Sequence, residues 1–167
     1  MKKLLLCFLV SASLISCTNQ ETKTETTGSV TTTGPDVDML KKGTAAFANG
    51  DWVTVASNYA DTAKSYHNIW PSNTDTTVGV TIPVIIEVFK NQRELIDGNL
   101  TIGGTIYEVV TMPDGSKYGH SWVEMSWKSK KGVVGKAIVF NSFGINKDGK
   151  ITYEWPIYDT KDVVNLK

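Results

Sequence analysis

Two histidines occur in this chain of 167 residues, His67 and His120. Histidine is the side chain whose ordinary pKa, about 6.5, puts proton transfer near neutral pH. His67 closes the stretch Asn-Tyr-Ala-Asp-Thr-Ala-Lys-Ser-Tyr-His-Asn, residues 58–68. A neutral imidazole there is competent as a general base, while Glu154 could orient it and Tyr158 could donate a hydrogen bond to a substrate. Each has a plainer reading. His67 can be a strand histidine bonded to a neighbour or to trapped water; Glu154 a satisfied carboxylate near a sheet end; Trp70 and Tyr158 core or pocket lining. Other chemistries lack their residues. The histidines fall on opposite sheet faces and no cysteine remains after export, so no metal-ligand set forms and no cofactor is expected. No Gly-x-Ser-x-Gly and no complete phosphate-loop signature is present.

The elements that must position these residues lie in the second part of the chain. It begins with Lys2, Lys3 and an apolar run over residues 4–10, too short for a spanning helix of roughly 20 residues but suited to an export signal. Leu14-Ile15-Ser16-Cys17 resembles a bacterial lipobox, which implies lipidation of Cys17 and anchoring to the cell envelope, facing the periplasm or the cell surface. Cys7 leaves with the signal over residues 1–16, so no disulfide is expected. Residues 17–35 are read as lipidated Cys and flexible tether, because eight of the residues from 18 to 33 are threonine and little apolar surface is available to offset ordering. Residues 36–162 are read as one domain. Lys plus Arg equals Asp plus Glu at 17 each, which gives no field for nucleic acid.

Within that domain, residues 36–48 carry Val37, Leu40, Thr44 and Phe47 on one helical stripe. Asn49-Gly50-Asp51 breaks the helix, and Asp51 is an N-cap for a second helix with Trp52, Val55, Ala56 and Tyr59 on its buried face. A short strand is expected over 63–68. Thr81-Ile82-Pro83 opens a third helix with Pro in the first turn, and Ile85, Val88, Phe89, Gln92 and Ile96 form its stripe. Strands are expected at about 100–112, 117–128, 133–146 and 150–158, separated by Pro113-Asp114-Gly115, Lys131-Gly132 and Lys147-Asp148-Gly149. The fold class is therefore α+β, three helices packed on one face of an antiparallel sheet that curls to leave a pocket. Alternation puts Ser121, Val123, Met125 and Trp127 inside and His120 outside. An outer face rich in Trp, Tyr, Phe and Ile is expected to be a homodimer interface.

"FANGDW", then "NYADTAKSYHN", a helix, and a meander ending "INKDGKITYEWPIYD" together resemble the nuclear transport factor 2-like superfamily. This is the cone-shaped fold of SnoaL-like polyketide cyclases and ketosteroid isomerases. The resemblance implies that the isomerases' general-base aspartate falls on His67 and their oxyanion-stabilising aspartate near Asn141. It places Asn141, Val139 and Phe143 inside with Glu154 and Tyr158. Their oxyanion-hole tyrosine falls on Gly43, which has no side chain, so steroid isomerisation is not expected. The main expectation is an exported, lipid-anchored domain binding a small, largely apolar ligand through Trp70, Val123, Met125, Phe143, Glu154 and Tyr158. One alternative is an isomerase, cyclase or dehydratase with His67 as base and Asn141 as oxyanion donor. Another is an interaction module that uses the outer sheet face.

Overall fold

The computed structural model describes residues 27–66, 79–98 and 100–159. Cys17, His67 and Trp70 lie outside the described residues. Helix α1 (Pro35–Asn49) starts with Pro in its first turn and Asp36 and Asp38 beside its positive end, and stops at Gly50 with φ 72°. Asp36 also pairs with Lys117 at 2.6 Å, which fixes the start of α1 against the sheet. Helix α2 (Trp52–Ser57) is capped by Asp51, whose carboxylate accepts from Thr54 N–H at 3.0 Å. Helix α3 (Ile82–Arg93) turns Ile82, Ile85 and Ile86 inward. Among the described residues no helix is long and apolar enough to cross a membrane.

Among the described residues there are seven strands: β1 (Ser29–Thr31), β2 (Tyr59–Ser65), β3 (Val80–Thr81), β4 (Thr101–Thr111), β5 (Lys117–Lys128), β6 (Val134–Ile145) and β7 (Ile151–Ile157). They form one sheet in the order β1-β4-β5-β6-β7-β2-β3. All pairings are antiparallel except β2 with β7. The α+β class is as read from the sequence, and the sheet has the strong curl of a cone. A register shift between Ile102 and Thr105, at Gly103-Gly104, bends β4. Gly115, Gly132 and Gly149 all adopt positive φ in the three turns of the meander.

Three local features differ from the sequence reading, and a fourth, at Ile151, breaks the alternation of its strand. Ser29–Thr31 forms an edge strand on β4 where a flexible tether was expected; β-branched Val30 and Thr31 complete the ladder beside Val110 and Val109. Tyr59 opens β2 and does not extend α2, because pairing with Ile151 begins there. The first long-range strand thus runs over 59–65, earlier than the expected 63–68. Ile151 points inward, with 3% exposure, because the register shifts between Gly144 and Ile145 and one residue changes face. Ala56 is exposed rather than part of a buried helical face.

The core divides into three packed groups. Val37, Leu40, Tyr107, Val109, Val123, Phe143, Ile145 and Ile151 close one end of the cone. Ala46, Val55, Ala63, Ile82, Ile85 and Ile86 join the helices to β2. Ile96 and Trp127, with Leu95, Leu100, Met125 and Ala137, close the opposite end. Space remains between them.

Candidate functional site

That space is a cavity of about 180 Å³ between α1, α2, α3 and the concave face of β5, β6 and β7. An apolar cavity of roughly 150 Å³ is enough for a benzene-sized guest. The walls here are mainly apolar, with Leu40, Phe47, Val55, Phe89, Val139 and Phe143 among them. Polar side chains enter from several elements: Thr44 from α1, Asn58 from the end of α2, Tyr59 from the start of β2, Gln92 and Arg93 from α3, Asn141 from β6, and Glu154 and Tyr158 from β7 and its continuation.

Glu154 is the centre of the polar part. It is 7% exposed. Its Oε1 accepts from Ser65 Oγ at 2.6 Å and its Oε2 accepts from the Tyr59 hydroxyl. Parallel pairing makes this possible, because Ser65 lies beside Glu154 in the β2–β7 register and Tyr66 N–H also donates to Glu154 O at 2.9 Å. Burial pushes the Glu154 carboxyl above the usual carboxylate range, against the opposing effect of the bonds from Ser65 and Tyr59. Burial, then the Glu154 charge and its hydrogen bond, raise the Tyr59 hydroxyl well above its ordinary value. Tyr158 is raised by burial first and by Glu154 second. Both phenols therefore stay protonated at neutral pH and act as donors.

Asn141 occupies the same concave face. It pairs with Pro156 and so lies diagonally from Glu154, which pairs with Phe143. Its Nδ2 donates to Ser121 Oγ at 3.0 Å. Gly43 also lines the cavity, and a Cβ there would come within 2.7 Å of Asn58 Nδ2. The volume that a side chain at 43 would need is held by the Asn58 amide. Arg93 donates from Nη2 to Ala48 O at 3.0 Å, bridging α3 to the end of α1, and burial lowers its pKa.

Of the residues singled out in the sequence, the structure brings Asn141, Met125, Phe143, Glu154 and Tyr158 to one cavity. Val123 is not among them. It is fully buried in the closed end of the cone, where Val37 and Leu40 of α1 pack over it, so it supplies core and no cavity surface. His67 and Trp70 fall outside the described residues. His120 lies on the outer face, with Nδ1 3.2 Å from Glu108 Oε1 and its ring stacked on Phe140. Sequence reasoning missed Tyr59, Ser65 and Arg93. Ser65 shares its strand face with Ala63, a signal that alternation could have given. Tyr59 gave none, since it also continued the helical stripe of α2.

No protein-family model matches the chain, and no curated protein matches it. Solved structures do. IdmH from Streptomyces antibioticus, a candidate polyketide cyclase, superposes with a TM-score of 0.61 at 14% identity, over 80% of this chain and 98% of its own. A ketosteroid isomerase-like protein from Erwinia carotovora atroseptica gives 0.55 at 18% identity, over 72% and 91%. A nuclear transport factor 2-like protein of unknown function from Burkholderia pseudomallei gives 0.58 at 13% identity, over 80% and 98%. The chain has the nuclear transport factor 2-like cone fold, the architecture it shares with these cyclase and isomerase-like structures.

Proposed function

We propose that the protein binds a small, largely apolar molecule in its cone cavity, held at the cell envelope by lipid on Cys17. The observation that carries this reading is an apolar cavity with one buried carboxyl group, Glu154, held on its wall by Tyr59 and Ser65. A folded core has no use for such space, since interiors pack without voids of this size unless something occupies them. Met125, Phe143 and Tyr158 line the space rather than fill it. Native mass spectrometry of the full chain, taken from its own membrane in detergent, tests the reading. A bound organic molecule is expected, lost when Val139→Trp fills the cavity and weakened by Asn141→Ala. A preparation that is wholly empty, or retention unchanged in both variants, removes the site. The same spectra read the lipid as a mass increment absent from Cys17→Ser.

A second reading is an isomerase, cyclase or dehydratase in which His67 is the base and Asn141 donates to a developing oxyanion. It is favoured by the Asn141 amide on the concave face beside Glu154 and by the names of the structural relatives. Exchange of solvent deuterium into an enolisable ketone, abolished by His67→Ala, is its test. A third role belongs to the outer sheet face as a homodimer surface, argued in the Discussion.

A further inference from the structure

We propose that the cavity is a receptor for an organic cation: a protonated amine carried on a small, ring-bearing apolar body, with Glu154 as its counter-ion. The inference rests on the small-molecule reading above and names the ligand class.

Four titratable side chains line the cavity among the described residues: Tyr59, Arg93, Glu154 and Tyr158. The two tyrosines are neutral donors. Arg93 donates from Nη2 to Ala48 O, at the end of α1. The groups that act on Glu154 are Ser65 and Tyr59, both from β2, and no cationic side chain among the described residues contributes. The carboxyl group is therefore desolvated and hydrogen-bonded, and neither of the two donors on it, Ser65 and Tyr59, carries a positive charge. An ionised carboxylate buried in that state is unfavourable, which a cationic ligand would offset and a neutral one would not.

Geometry supplies the rest of the recognition. Ser65 and Tyr59 each take one carboxylate oxygen, and an ionised carboxylate has about four acceptor positions, so acceptor capacity remains for an ammonium group. Phe143 stands directly across from Glu154 in the β6–β7 register, and Tyr158 is close enough for its hydroxyl to sense the carboxylate charge. An ammonium at Glu154 thus sits beside aromatic rings, which attract cations. Beyond it, Phe47, Phe89 and Val139 offer apolar surface for a ring. An anionic ligand meets the opposite situation, with its charge forced next to a carboxylate.

The test uses the full chain in detergent and three probes of nearly equal shape: 2-phenylethylammonium, 2-phenylethanol and phenylacetate. Binding is followed by calorimetry and by tryptophan fluorescence, since Trp52 and Trp127 line the cavity. Above the pH at which Glu154 ionises, the ammonium should bind about tenfold or more tighter than the alcohol, as charge-assisted bonds exceed neutral ones, and phenylacetate should bind weakest. The ammonium preference should fade as pH falls through the Glu154 pKa, because protonation removes the counter-ion, while the alcohol stays level. Glu154→Gln should erase the preference. Equal binding of ammonium and alcohol overturns the cation assignment and leaves the small-molecule pocket standing. A preference that persists in folded Glu154→Gln, or that is flat with pH, also overturns it. Failure of all three probes to bind overturns it together with the small-molecule reading.

Discussion

Ser65 Oγ stands 2.6 Å from Glu154 Oε1, across the parallel pairing of β2 with β7. The bond joins residues 89 positions apart and ties the first long strand to the last. It also serves two ends at once: it closes the sheet into a cone and holds a carboxylate on the cavity wall.

That carboxylate makes stability depend on pH in a defined direction. Burial raises the folded-state pKa of Glu154 above its unfolded value. As pH rises, the unfolded chain gives up this proton first, so the contribution of the protonated group is full below the ordinary carboxylate range and is lost as pH passes the folded pKa. Glu154→Gln cannot ionise and keeps a polar partner for Tyr59 and Ser65. We expect this variant to melt above the wild type at neutral pH, roughly 2–4 °C for each 1 kcal/mol recovered. The gap should narrow as the solution is acidified. Thermal melts across a pH series check this, and a gap independent of pH would refute the assignment of Glu154 as the titrating group.

Gly43 and Asn58 form a second coupled pair. Alanine in a helix interior is ordinarily better than glycine by about 1 kcal/mol, yet a Cβ at position 43 would meet Asn58 Nδ2 at 2.7 Å. The Asn58 main chain is fixed, since its backbone carbonyl accepts from Ile151 N–H at 2.9 Å, and burial of the residue leaves the amide little room to turn away. Gly43→Ala should therefore lose about 1 kcal/mol rather than gain it. In the double variant with Asn58→Ala, the clash is gone and the helix gain should return, leaving it at least as stable as Asn58→Ala alone. Chemical denaturation of the four proteins gives the coupling energy; additive effects would show that the two positions do not share the space.

Val123 separates core from cavity. Truncation to Ala at a fully buried site should cost about 2 kcal/mol from lost burial and the void left behind. Retention of the cavity ligand should not change, because Val123 does not line the cavity. Loss of ligand in a folded Val123→Ala protein would return this residue to the binding wall.

Much of this was legible in the sequence, and the rest was not, for identifiable reasons. The meander is written in local signals: glycines that tolerate positive φ at 115, 132 and 149, and alternation that put Met125 inside; both faces of the last two strands are apolar, so Phe143, Glu154 and Tyr158 were placed beside it only through the resemblance. Local signals could not report partners distant in the chain. Tyr59 fits a helical stripe equally well, and only its pairing with Ile151 makes it strand. Ile151 changed face because of a one-residue shift beside Gly144, which leaves no compositional mark. Ser29–Thr31 sits in a threonine-rich stretch, and only the free edge of β4 orders it. Val123 was placed inside correctly, but inside divides into packed core and cavity wall, and alternation does not distinguish them.

The outer sheet face carries the last prediction. Ile106, Trp122, Phe140 and Ile157 stand opposite one another in register across β4, β5, β6 and β7. Trp155 and Ile138 extend this row to either side, with exposures of 52% and 64%. The rings of Trp122 and Phe140 are 5.0 Å apart, and His120 stacks on Phe140 while pairing with Glu108 at the margin. An apolar centre with charged residues around it is the make-up of a protein interface rather than of a solvated sheet. A second copy, related by a two-fold axis, would set this row against its own image. We expect a dimer of the full chain in detergent, measured by light scattering at micromolar concentration with the detergent mass accounted for. Trp122→Glu should convert it to a monomer by placing a carboxylate at the centre of the apolar row, with the melting curve of the separated subunit still cooperative. A wild-type protein that runs as a clean monomer, or a Trp122→Glu variant that remains dimeric, would move any interface away from this face.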